Sequence, residues 1–217
     1  MPTQAERRAA TRAELLDAAV ATLCDGGAAG FSAAAVVGRT GRSNGALFRH
    51  FPTRAALLAA TVEHVLALLR DEFDAAYAAL GDDGLEVRDL ITLVWEVMTD
   101  RRLAAVYDAY AAARTDGALR AAIEPVVRAH VERLHAVGHE VLTRIPGVDT
   151  GLADRATALA VMAMQGQAVN ATVLPEAADG TALLASLELT AAAVLGGTTI
   201  PARSPGTAPV AEEAARC

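Results

Sequence analysis

Between Ser32 and Arg54 the chain reads SAAAVVGRTGRSNGALFRHFPTR, which leaves room for two short helices, a tight turn and little else. Ser32 is placed to cap a helix whose apolar residues are Val36 and Val37. A serine hydroxyl there can satisfy one of the free backbone N–H groups of a first turn. Gly41 breaks that helix, and a glycine between two short helices is the turn of a helix-turn-helix. Ser43 caps the next helix, which packs through Leu47, Phe48 and Phe51. Pro52 stops it, because proline removes a donor and its ring disfavours helical backbone in the preceding residue. Thr53 then caps a long fourth helix, with Leu57, Leu58, Val62, Val65, Leu66, Leu69, Phe73, Tyr77 and Leu80 at helical spacing.

The rest of the chain reads as helix too. Thr11-Arg12-Ala13-Glu14 forms a capping box ahead of Leu15, Leu16, Ala19, Val20 and Leu23, so residues 1–10 are expected to fray. Gly26-Gly27 and Gly30 end this first helix, with Cys24 as a small core residue. Further helices are expected at about 85–100, 101–114, 117–145, 152–174 and 180–196. Pro125 sits in the third of these as a kink or an early-turn residue. From Gly196 the composition turns to Gly, Thr, Pro, Ser and Ala, and 197–217 reads as a disordered tail. Apolar residues make up 53% of the chain and aromatics only 4%, so alanine supplies helix propensity and a few large side chains carry the packing. The expectation is an all-α protein of about nine helices. A helix-turn-helix head would occupy residues 1–52, a helical body 53–196, and the tail the remainder.

The net charge of −7 argues against a polyanion partner until its distribution is considered. Residues 1–60 hold seven arginines and four acids, whereas residues 61–217 hold twelve arginines and twenty-two acids. A basic head on an acidic body suits a protein that touches nucleic acid with one end. There is no lysine. No signal peptide follows Met1-Pro2, and Gln165, Gln167 and Glu188 interrupt the apolar runs. Two cysteines, Cys24 and Cys217, make no disulfide framework. These features lead to the expectation of a soluble, cytoplasmic chain with no membrane partner.

Residues 11–66 resemble the DNA-binding head of the tetracycline-repressor (TetR) family. The resemblance rests on Thr11-Arg12-x-x-Leu15-Leu16-x-Ala18-Ala19, the Gly27 region, Gly41 and the run from Ser43 through Arg54. It implies a homodimeric transcription factor, usually a repressor released by a small ligand, whose third helix enters the major groove. It would place Asn44, Gly45, Ala46 and Arg49 in the groove. It would set Ser43, Phe48, His50 and Arg54 on phosphates, and Ala33 and Ala34 at contact positions of the second helix. Three residues depart from the family pattern. Phe48 stands where tyrosine is usual, Ala34 where arginine is frequent, and Arg42 where the turn usually has a small apolar residue. The resemblance thus implies that one base-contacting basic group stands in the turn, at Arg42, in place of the second helix.

The chemistry of these side chains agrees with that placement. Asn pairs with adenine and Arg with guanine at base edges. Gly45 permits close backbone approach, and Ala46 offers a methyl to thymine. Arg54 lies in a first helical turn, where backbone N–H groups favour phosphate. Arg39, Arg42, Arg49 and Arg54 are expected to form one basic surface.

In the body, Glu176, Asp179 and Glu188 are the only charges between Ala156 and Leu195. Helices this bare are buried on several sides. The economical partner is a second copy, meeting through about 152–196 in a four-helix interface and facing a palindromic operator. Trp95, Met98, Tyr107, Tyr110 and Met162, with Gln165 and Asn170 as polar handles, are candidate ligand-binding residues for an unknown small apolar or amphipathic effector. Core packing is the alternative for each of them. His135 and His139 share a helix face near Glu132, a metal possibility with two ligands only. No phosphate loop, nucleophile elbow or zinc-spaced cluster occurs, so neither enzyme activity nor a cofactor is expected. A DNA-binding regulator controlled by a protein partner, or a metal-binding helical protein, remains as an alternative reading.

Overall fold

The computed structural model describes residue 1 and residues 3–81 and 85–202. Nine α-helices occur among them: α1 (Gln4–Gly30), α2 (Ala33–Thr40), α3 (Asn44–Phe48), α4 (Arg54–Leu80), α5 (Val87–Met98), α6 (Arg101–Ala113), α7 (Gly117–Leu142), α8 (Thr150–Ala171) and α9 (Thr181–Leu195). A 3-10 turn spans Pro175–Ala178. Two short strands, β1 (Leu85–Glu86) and β2 (Thr199–Ile200), pair antiparallel. The fold is all-α, as the spacing of apolar residues requires.

These elements form two compact units. The first comprises Met1–Leu68 and Arg101–Arg128, the second Leu69–Asp100 and Ala129–Cys217. The division departs from the boundary expected at residue 52, since α6 and the first part of α7 belong with the head. In the first unit α1 packs on α2 and α6. Its core contains Leu15, Leu16, Leu23, Phe31, Val36, Leu47, Leu57, Leu58 and Val62, with Val106 and Leu119. In the second unit α5, α8 and α9 pack together over Ile91, Met98, Val141, Ile145, Met164, Leu187 and Leu195. Gly138 of α7 lets that helix meet α8 closely, because a Cβ there would stand 1.9 Å from the Thr157 hydroxyl oxygen.

Three local expectations are corrected. First, α1 starts at Gln4 and not at Thr11. Thr3 is the N-cap, with Glu6 Oε2 accepting the Thr3 N–H at 2.5 Å and Thr3 Oγ1 accepting the Glu6 N–H at 3.2 Å. Thr11 is an interior residue that donates its hydroxyl to Arg7 O at 2.9 Å. Second, the tail does not begin at 197. Ile200 is fully buried opposite Leu85, and Thr199 donates its hydroxyl to Glu86 Oε1 at 2.8 Å. The expectation for 203–217 lies outside the described residues. Third, the glycines near the end of α1 bend it before it ends. Gly27 has φ 59° and ψ −174°, and helix resumes as far as Gly30. Pro125 lies inside α7, where it removes one intrahelical hydrogen bond.

Candidate nucleic-acid interface

The helix-turn-helix is assembled from its caps. Ser32 Oγ accepts the Ala35 N–H at 3.2 Å and opens α2. Gly41, at φ 67°, closes α2 by donating its N–H to Val37 O at 3.0 Å. That left-handed backbone is cheap only for glycine. Thr40 Oγ1 accepts the Arg42 N–H at 3.2 Å and holds the turn. Ser43 Oγ accepts the Ala46 N–H at 3.2 Å and starts α3. Thr53 Oγ1 accepts the Ala56 N–H at 3.0 Å and starts α4. Val36, Leu47 and Phe51 are buried beneath this frame.

With Leu47 pinned inward, the opposite face of α3 meets solvent. Asn44, Gly45, Phe48 and Arg49 are exposed, as are Arg42 and Ser43 in the turn, while Ala46 and His50 are half-buried. On α2, Ala34 is exposed and Ala33 half-buried. A Cβ on Gly45 would meet only Ser43 Oγ within 4 Å, at 3.9 Å, so the backbone is open on that side. Phe48 keeps 45% of its surface accessible and, lacking a hydroxyl, offers only an apolar ring.

The expected surface of four arginines is not what the structure assembles. Arg39 is paired with Asp25 at 2.6 Å, and Arg101 of α6 reaches the same carboxylate at 2.9 Å. Hydrogen bonds from Arg39 and Arg101 hold the Asp25 carboxyl below its ordinary range. Arg42 pairs with Glu14 at 2.6 Å, which raises the guanidinium pKa further. Arg54 has a structural task. Its Nε donates to Phe31 O at 3.0 Å and its Nη2 to Ala28 O at 2.5 Å, joining the start of α4 to the chain between α1 and α2. The guanidinium expected on a phosphate is therefore engaged by backbone carbonyls. Among the described residues, Arg49 alone of the four has no partner.

Two arginines absent from the expected site stand beside it. Arg12 places its guanidinium 5.5 Å from the centre of the Phe51 ring. The His50 ring lies 6.2 Å from that same ring. Burial, followed by the charges of Arg8 and Arg12, lowers the His50 pKa from its usual value. The i,i+4 spacing of Arg8 and Arg12 is visible in the sequence, but the expectation of a frayed start gives them no helix face.

The seven candidate ligand residues divide between the units. Tyr107 and Tyr110 of α6 lie in the first, edge to face at 6.0 Å. Burial pushes the Tyr110 hydroxyl up to about 12 and raises that of Tyr107 as well. The other five lie in the second unit. Met98 is buried, Trp95 is half-buried against Gly180, and Gln165 is half-buried. Met162 and Asn170 do not line an interior: Met162 is 72% exposed and Asn170 is exposed, because both fall on the outer face of α8. Met164 is the α8 methionine in the core. Gln167 is the α8 amide with a structural partner, donating to Ala177 O at 2.8 Å. His135 Nδ1 lies 3.7 Å from Asp154 Oδ1, and no group of three metal-ligating side chains occurs among the described residues.

A helix-turn-helix with an open recognition face, held on a helical frame, defines a DNA-binding regulator. Residues 15–61 match the family described as bacterial regulatory proteins, tetR family. An uncharacterized HTH-type transcriptional regulator of Mycobacterium bovis is 32% identical over 148 residues, which cover 68% of this chain and 74% of that protein. The chain belongs to the tetR family: it is a helix-turn-helix transcriptional regulator, not an enzyme. Two solved structures share the fold. The multidrug binding protein EbrR complexed with imidazole superposes with a TM-score of 0.61 at 20% identity, covering 90% of this chain and 98% of that one. The transcriptional regulator FadR from Bacillus subtilis in complex with stearoyl-CoA gives 0.60 at 15% identity, covering 82% and 96%.

Proposed function

We propose that this regulator is a homodimeric repressor that reads a palindromic operator through α3 and is released by a small apolar or amphipathic molecule. The observation that carries this reading is the bare apolar surface of α8 and α9. Leu159, Met162, Gly166, Val169 and Val173 recur at steps of three and four residues along α8 and beyond its end, and all are exposed. On α9, Ala182, Ala185, Leu189 and Ala192 do the same. Leu189 is 74% exposed and Val173 79%. Contiguous apolar surface of this kind marks an interaction site, and helix faces repeated on identical chains close into a two-fold dimer. The segment Glu176–Leu195 is long and apolar enough to cross a membrane and is mostly unburied. Its helical part, α9, has only 15 residues, short of the roughly 20 a span requires. A second copy accounts for its surface.

Two observations support a small effector. EbrR and FadR, which share the fold, hold imidazole and stearoyl-CoA. In the second unit, the Tyr77 and Thr157 hydroxyls are shielded from solvent without a hydrogen-bond partner. Shielded polar groups are normally paired, so such hydroxyls are ready acceptors or donors for a bound molecule. A ligand that favours one dimer geometry over another shifts the population away from the DNA-competent form. By reciprocity, operator DNA weakens ligand binding by the same factor.

The DNA half of this reading is tested at Arg49. Arg49→Ala should weaken operator binding by roughly 1–3 kcal/mol and relax sequence preference at one base pair of each half-site. A fluorescence-anisotropy titration against matched and singly mismatched duplexes measures both. Unchanged affinity and unchanged discrimination would remove Arg49 from the base-reading set.

A further inference from the structure

The inner face of α1 changes character toward its start. Leu23, Ala19, Leu16 and Leu15 are buried along it. Continuing by turns of three and four residues, the next positions on that face are Arg12 and Arg8, both exposed. The helix is built to reach this far, since the reciprocal Thr3–Glu6 cap secures a start at Gln4. The family match begins at residue 15, so Arg8 lies ahead of both it and the resemblance from residue 11, while Arg12 belongs to the Thr11-Arg12 pattern.

The surroundings of the two arginines are cationic. Arg12 sits over the Phe51 ring, just past the end of α3, and both arginines act on His50. The nearby acids are already engaged, Glu6 by the Thr3 cap and Glu14 by Arg42. Exposed cations that share one surface repel one another, and a polyanion relieves that repulsion. The patch is continuous with the open face of α3 through Arg49 and His50.

We propose that Arg8 and Arg12 of α1 form a second DNA contact, gripping the phosphate backbone that flanks the base pairs read by α3. This rests on the operator reading above and extends it to residues that read no base. The grip adds affinity to every sequence alike and is sensitive to salt, because each neutralised phosphate releases condensed counterions. Arg8 and Arg12 therefore set the strength of binding, while Asn44 and Arg49 set where it is applied.

The test is a salt series on the full-length protein, with an operator selected from random duplexes and a scrambled duplex of equal length. For the Arg8→Gln/Arg12→Gln double variant, the slope of log K against log salt should flatten by about 0.9 for each phosphate left without its arginine, so by about 1.8 per half-site. The operator-to-scrambled ratio should stay at the wild-type value. Trimming the flanking base pairs from the operator should flatten the wild-type slope and leave that of the double variant unchanged. A double variant with the wild-type slope overturns the proposal while leaving the operator reading intact. A wild-type protein that enriches no sequence overturns both. Should removal of the Arg12 side chain from the Phe51 ring unfold the head, Arg8→Gln alone, which keeps Arg12 in place, should show half the change, and a wild-type slope there overturns the proposal.

Discussion

Replacing Met162 and Leu189 by glutamate should turn the dimer into a monomer and lower operator affinity by about 10²–10⁴-fold, the range over which linked binding sites typically gain from acting together. Both side chains are more than two-thirds exposed within the chain, so their replacement removes no core packing. The introduced carboxylates would be harmless on a solvated face. Buried between two copies, four of them would be uncompensated, and burying unpaired charge costs several kcal/mol per ion. Gly166→Leu makes the same point by sterics. Gly166 is exposed and a Cβ there has open space around it, so a larger side chain should leave the isolated protomer folded while obstructing a neighbour. Light scattering at micromolar concentration checks the mass, and circular dichroism checks that each protomer keeps its helices. A variant that remains a dimer would place the interface elsewhere.

Gly27→Ala should destabilise the first unit by about 2.5–6 kcal/mol, combining backbone strain of about 1–3 kcal/mol with the disruption of a charge-assisted hydrogen bond of about 1.5–3 kcal/mol. The backbone there, at φ 59° and ψ −174°, belongs to a region open essentially to glycine alone. A Cβ would also stand 2.5 Å from Asp108 Oδ2. That carboxylate oxygen accepts the Ala28 N–H at 2.5 Å, while Arg54 takes the Ala28 carbonyl. The Ala28 peptide is thus held from one side by α6 and from the other by α4. Asp108→Ala should show only the hydrogen-bond share, because it leaves the Gly27 backbone unstrained. Urea unfolding of the two variants separates the contributions. Equal stability of Gly27→Ala and wild type would mean that the kink is not needed.

How much of this is legible depends on sequence separation. The caps at Ser32, Gly41, Ser43 and Thr53 act on partners three or four residues away, and the helix-turn-helix can be read from them directly. The poverty of charge on α8 and α9 is a composition signal and points to the exposed apolar faces. The start of α1 is ambiguous because the Thr-x-x-Glu pattern occurs twice, at Thr3 and Thr11. The upstream box wins because the Ala- and Arg-rich residues between them are good helix formers, and extending a helix costs little once it is nucleated. The partners of Arg54 and Asp108 lie 26 and 80 residues away, and no local pattern announces them. The β1–β2 pair joins residues 113 apart through two positions each, too short for any alternation to show. Tyr107 and Tyr110 resemble their aromatic counterparts in the second unit by composition only, and composition does not say which unit a helix joins.

The central claim is that α3 reads DNA as one half of a two-fold pair. Selection of duplexes from a random pool by the purified protein, followed by sequencing, tests it directly. The expected result is enrichment of an inverted repeat whose half-site centres lie about one helical turn apart or a multiple of it, roughly 10–10.5 base pairs per turn. Arg49→Ala should degrade the same position in both halves. Enrichment of a single asymmetric half-site, or of no sequence at all, would contradict it.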